Sequence, residues 1–122
     1  MPNLLEIEAM DDPRAFKLSG ELDVSNAGDL LETMVEPMRG EGDIRLDISD
    51  LRFIDSSGVR AVVQTAKSLE GRGRLVLERP QQAVLRVLDL MGLRKLGALQ
   101  VESEEAEDQG GQTSTGPPER QY

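Results

Sequence analysis

Three times along this chain an apolar run of strand length gives way to an apolar stripe with the period of a helix. That alternation decides the fold class. Ile44, Leu46 and Ile48 alternate with Arg45, Asp47 and Ser49, the two-residue period of a strand with one buried face. Past a short turn, Val59, Val62, Val63, Ala66 and Leu69 follow at helical spacing and are closed by Gly71 and Gly73. Upstream, Phe16 and Leu18 lead into Ala27, Leu30, Leu31, Met34, Val35 and Met38, with Asn26 as the predicted N-cap and Pro37, Gly40 and Gly42 at the stop. Downstream, Leu75-Val76-Leu77 leads through Pro80, suited to a helix start, into Val84, Val87, Leu88 and Met91, with Gly92 as a C-terminal cap. The segments Leu4 to Met10 and Phe16 to Leu22 flank the turn Asp11-Asp12-Pro13 and predict an antiparallel opening pair. Leu96 to Val101 predicts a weak last strand. The sum is an α/β fold, a small mixed sheet whose strands run parallel after the hairpin, with helices packed on one face.

The chain has 122 residues, enough for one domain. It contains neither cysteine nor histidine, which removes disulfides, thiolate or imidazole metal sites, a Ser-His-Asp triad and a histidine base. Its only aromatic residues are Phe16, Phe53 and Tyr122, too few for stacking platforms. A pair of carboxylates such as Asp47 and Asp55 is the remaining enzymatic option, and nothing else in the composition supports it; the chain reads as a non-enzyme with no cofactor and no metal. The formal net charge of −9 disfavours nucleic acid and anionic membranes as partners. More than half of it lies from Glu102 onward, where six acids face only Arg120. No segment is long and apolar enough to span a bilayer, and no basic-then-apolar leader opens the chain. A cytoplasmic protein is expected, with a domain over 1–101 and an acidic, disordered tail over 102–122.

Asp55-Ser56-Ser57-Gly58 stands between the strand run and the second helical stripe. A helix start offers free N–H groups and the positive end of the dipole. The two hydroxyls therefore read either as caps or as acceptors for an anionic group. One cap needs one hydroxyl, and two are offered here. The lead-in Leu51-Arg52-Phe53-Ile54 ties the loop to the core, which would hold the serines at a fixed surface point.

The run Leu46-Asp47-Ile48-Ser49-Asp50-Leu51-Arg52-Phe53-Ile54-Asp55-Ser56-Ser57-Gly58 resembles the phosphorylation segment of STAS-domain anti-sigma factor antagonists. Gly20-Glu21-Leu22-Asp23, Gly73-Arg74-Leu75-Val76-Leu77 and Leu88-Asp89-Leu90-Met91-Gly92-Leu93 agree in order and spacing, so the resemblance spans roughly Leu4 to Val101. It implies that Ser56, the serine after the motif aspartate, is phosphorylated by an anti-sigma factor that is itself a serine kinase and supplies the ATP. The unmodified chain would bind that kinase and release the sigma factor, the phosphorylated chain would let go, and a PP2C-type phosphatase would reset it. The resemblance implies a partner-binding surface of Asp23, Asp55, Ser56, Ser57, Gly58, Val59 and Arg60. Asp23 would orient the acceptor; Ser57, the second-choice acceptor, would cap the helix. Arg60 departs from the family's usual Gly-Leu-Gly continuation, and so reads either as a cation for an acid on the partner or as a solvated helix residue. A free monomer is expected. The alternative is a STAS scaffold that is not switched, in a sensory assembly or beside a transporter.

Overall fold

The sequence folds locally as its periods dictate. The computed structural model describes residues 3–103. Leu5–Ala9 (β1) and Ala15–Leu22 (β2) pair antiparallel, with Leu5 opposite Gly20 and Ala9 opposite Phe16. Helix α1 (Ala27–Arg39) leads to β3 (Ile44–Ile54), helix α2 (Ser56–Ser68) to β4 (Leu75–Glu78), and helix α3 (Gln82–Leu90) through a 3-10 turn at Leu93–Lys95 to β5 (Leu99–Glu102). The sheet order is β1-β2-β3-β4-β5, and every pair after the first is parallel. Successive parallel crossovers of one hand bring all three helices to the same face. There Leu18, Leu22, Leu30, Met34, Leu46, Leu75, Leu77 and Leu88 are almost wholly buried.

The opposite face of the sheet is polar. Lys17 pairs with Asp50 at 2.9 Å, Arg79 with Asp47 at 2.6 Å, and Arg45 with both Glu78 and Glu102. Partly exposed pairs of this kind add little stability. Asp47 is different because only 8% of it is exposed. Burial pushes its carboxyl up, but the Ser49 amide and the Arg79 guanidinium outweigh that and hold it below the ordinary value. A depressed carboxyl contributes stability above its unfolded value, near pH 4, which is lost as the pH falls through the folded value. Urea unfolding should therefore find Asp47→Asn about 1–2 kcal/mol less stable than the parent at pH 7, with the gap narrowing at pH 3. An equal gap at both pH values would remove the charge from the explanation.

Strand β3 departs from the sequence reading. Its early part alternates as predicted, but it runs eleven residues and takes in Leu51 to Ile54, predicted as a lead-in. Two irregularities in its pairing with β2, between Lys17 and Ser19 and between Gly20 and Glu21, each give β3 one extra residue. Each bulge shifts the buried face by one. The inward residues therefore run Ile44, Leu46, Ile48, then Leu51, then Ile54, while Phe53 is turned out and 48% exposed.

Smaller corrections follow the same logic. Pro37 does not end α1. Lying in its last turn, it forfeits only the bond to the Thr33 carbonyl, and its own carbonyl accepts from Gly40 N–H and from the Arg14 guanidinium. Val35, predicted on the buried stripe, is exposed. Helix α3 starts at Gln82 with Gln81 as its N-cap, so Pro80 precedes the helix rather than opening it, and Met91 is the exposed C-cap, followed by left-handed Gly92. The last strand begins at Leu99 because the 3-10 turn takes up Leu93–Lys95. Of the tail predicted over 102–122, Glu102 instead completes β5 and Ser103 is buried, so the domain passes the expected boundary; the remainder lies outside the described residues.

Candidate functional site

The carboxyl ends of β2 and β3 lie side by side, so the loops that leave them share one edge of the sheet. The Asp55 N–H donates to the Leu22 carbonyl at 3.2 Å, joining the start of α2 to the end of β2. Gly58 makes this approach possible. A Cβ there would stand 2.8 Å from Ile54 Cγ1, 2.8 Å from Leu22 Cγ and 2.9 Å from the Leu22 carbonyl oxygen, closer than side chains tolerate. Gly58 and Val59 are buried, Ser56 and Arg60 are exposed, and Ser57 lies between. The first turn of α2 thus rests on β2 with Ser56 toward solvent.

The cap of α2 is Asp55, whose carboxylate accepts from the Gly58 N–H at 3.0 Å. This corrects the expectation that Ser57 caps the helix. A residue caps from the position before the first helical turn, reaching the amide three residues on. The helix starts at Ser56, so the aspartate holds that position and Ser57 is already inside. Neither serine hydroxyl has a hydrogen-bond partner among the described residues. The motif therefore spends its carboxylate on the cap and leaves both hydroxyls spare.

Asp23 sits beside this turn, directly after Leu22. Its carboxylate accepts from Ser25 N–H at 3.0 Å and from Ser25 Oγ at 2.6 Å, and so closes its own loop without reaching Ser56. Asn26, predicted to cap α1, makes no side-chain cap bond. It is buried, and its Oδ1 accepts from the Asp23 N–H while its Nδ2 donates to the Glu21 carbonyl and to Asn3 Oδ1. It fixes the turn between β2 and α1 from within. Asp47 and Asp55 do not form an acid–base pair, since their carboxylates face Arg79 and Gly58 respectively.

A groove of about 270 Å³ runs from Ser56 along α2 to the end of α3, lined by Ser56, Val59, Arg60, Val63, Met91 and Leu93. Met91 on its far wall is exposed, as are Val24 beside Asp23 and Leu90 beside Met91 in the chain. The sequence pattern assigns Met91 to the core stripe, because nothing in a periodicity marks the residue at which a helix stops. The signal available was Gly92, which ends α3 and leaves Leu90 and Met91 at its tip. Arg60 makes no ion pair or hydrogen bond among the described residues.

Comparison with known proteins is consistent along nearly the whole described length. The STAS domain model matches residues 5–107. The anti-sigma-B factor antagonist of Staphylococcus epidermidis is 34% identical over 97 residues, covering 75% of this chain and 89% of that protein. The anti-sigma-B factor antagonist of Bacillus subtilis (strain 168) is 27% identical over 101 residues, covering 82% and 93%. The crystal structure of an anti-sigma factor antagonist from Mycobacterium paratuberculosis matches in fold with a TM-score of 0.70 at 20% identity, over 85% of this chain and 92% of that one.

Proposed function

The chain belongs to the STAS-domain anti-sigma factor antagonist family, and from that premise we propose that it antagonises an anti-sigma factor by partner switching, with Ser56 as the switched residue. It is a regulator, not an enzyme. In this reading the unmodified chain docks on an anti-sigma factor that is also a serine kinase, and the sigma factor is released. The kinase then transfers the γ-phosphoryl group of its ATP to Ser56 Oγ, the hydroxyl proton is lost, ADP leaves, and the complex separates. A PP2C-type phosphatase returns the serine. The reading carries with it a cytoplasmic location and a free monomer.

One observation supports Ser56 above its neighbours. Asp55 takes the cap, so the hydroxyl of the next residue is exposed and unpartnered at the first position of α2. A phosphate there adds about −1.5 to −2 charges and three acceptor oxygens. The dipole and free amides of the first turn accept it without unfolding the helix. Val59, Val63, Met91 and Leu93 line the groove that Ser56 shares, an apolar surface that suits a protein partner. Among the described residues no helix is long and apolar enough to cross a membrane.

Incubating the full chain with a serine-kinase anti-sigma factor and ATP should add one phosphate, mapped by mass spectrometry to Ser56, and Ser56→Ala should take up none. Phosphate on Ser57 alone would overturn the assignment. No phosphate on either serine would favour the unswitched scaffold.

A further inference from the structure

We propose that Arg60 is the intramolecular clasp for a phosphate on Ser56, so that modification withdraws a cation from the docking surface as it adds a dianion. The proposal rests on the phosphorylation of Ser56 argued above. Its parts are the spacing, the vacancy of Arg60 and the shape of the groove.

Ser56 and Arg60 stand at i and i+4 of α2, neighbours on one face of a helix. Cα–Cβ bonds tilt toward the helix N-terminus, so the long side chain at i+4 lies over the residue at i. Anion first and cation four residues later is also the favourable order for such a pair. Among the described residues Arg60 is paired with no other anion. Helix α2 (Ser56–Ser68) contains no acid, the Asp55 carboxylate is turned to Gly58 N–H, and Asp89 near the end of α3 is held by Arg94 at 2.7 Å. Ser56 and Arg60 line the same groove, whose other walls are Val59, Val63, Met91 and Leu93. Apolar walls limit the water that competes for the pair. A guanidinium matches a phosphate with two parallel N–H···O bonds, which a lysine cannot do.

The consequence is a two-part switch. While Ser56 is free, the Arg60 guanidinium is available to an acidic side chain of the partner. Once Ser56 carries phosphate, the same guanidinium folds back on it and that contact is withdrawn.

The test is a phosphorus-31 NMR titration of the full chain carrying phosphoserine at 56, installed during translation so that no kinase is needed. A neighbouring cation favours the dianion. The second ionisation of the phosphoserine, ordinarily near pH 6, should lie about 0.5 pH unit lower in the parent than in Arg60→Gln, with Arg60→Lys between them. Because Arg60 is exposed, both variants without phosphate should melt with the parent. Coincident titrations of parent and Arg60→Gln would overturn the clasp. Failure of the kinase to label Ser56 would instead count against the proposed function and leave this titration interpretable.

Discussion

Replacing Ser56 by aspartate is expected to weaken binding to the anti-sigma factor by about thirtyfold or more, whereas Ser56→Ala should bind within a few-fold of the parent. The aspartate puts a carboxylate next to Asp55 on the edge proposed to dock the partner. Setting like charges against each other, or leaving one unpaired in an interface, costs about 2–5 kcal/mol, and each ~1.4 kcal/mol is tenfold in affinity. The same change should leave the fold intact. An acid in the first turn of a helix is favourable by about 0.3–1 kcal/mol, so thermal melting should find Ser56→Asp as stable as the parent or slightly more so. The two readouts therefore move in opposite directions, which a misfolded variant could not do. Calorimetry with the purified partner decides it: equal affinities for the alanine and aspartate variants would sink the charge switch.

Gly20→Ala is expected to destabilise the fold by about 3 kcal/mol. Gly20 has φ +100, a conformation that L side chains rarely adopt, and its added Cβ would fall on the Leu4 carbonyl oxygen, well inside the 3.0 Å that real Cβ atoms respect. That oxygen already accepts the Glu21 N–H at 3.0 Å. Relief would require β1 to lift from β2 just where Leu5 opposes Gly20. Urea unfolding measures the loss, and a cost under about 1 kcal/mol would mean that the hairpin yields without strain. The glycine of Gly20-Glu21-Leu22-Asp23 thus has an architectural task. It keeps β2 in register up to Leu22, whose carbonyl receives the helix that carries the serines.

Much of this architecture was legible in the residues. Asp11-Asp12-Pro13 marked the hairpin, and Ile44, Leu46 and Ile48 gave the central strand its face. Val59, Val62 and Ala66 did the same for α2. What escaped was where a period changes or an element stops. A bulge replaces spacing two by spacing three, so Ile48, Leu51 and Ile54 read as the end of a strand when they were its continuation. Capping was ambiguous for a related reason. Asp55, Ser56 and Ser57 are all competent caps, and only the position of the first helical residue selects among them. Asn26 was misread because its amide serves the inside of a turn, a contact with Asn3 and Glu21 that no local pattern announces. The candidate site was legible as a motif, while the freedom of its hydroxyls came from the geometry.

The order of the strands in the sheet is also their order in the chain. A chain emerging from the ribosome therefore never has to leave a gap for a strand not yet made. Each new strand adds at the growing edge, and each helix closes over a surface that already exists. Non-local pairing slows folding and prolongs the exposure of unpaired edges; here every pairing partner lies one crossover or one hairpin away. The serine-bearing turn needs only β1, β2, α1, β3 and the start of α2 to take shape. The hydrogen bonds that fix that turn, from Asp55 N–H to Leu22 and from Gly58 N–H to Asp55, involve neither of the last two strands.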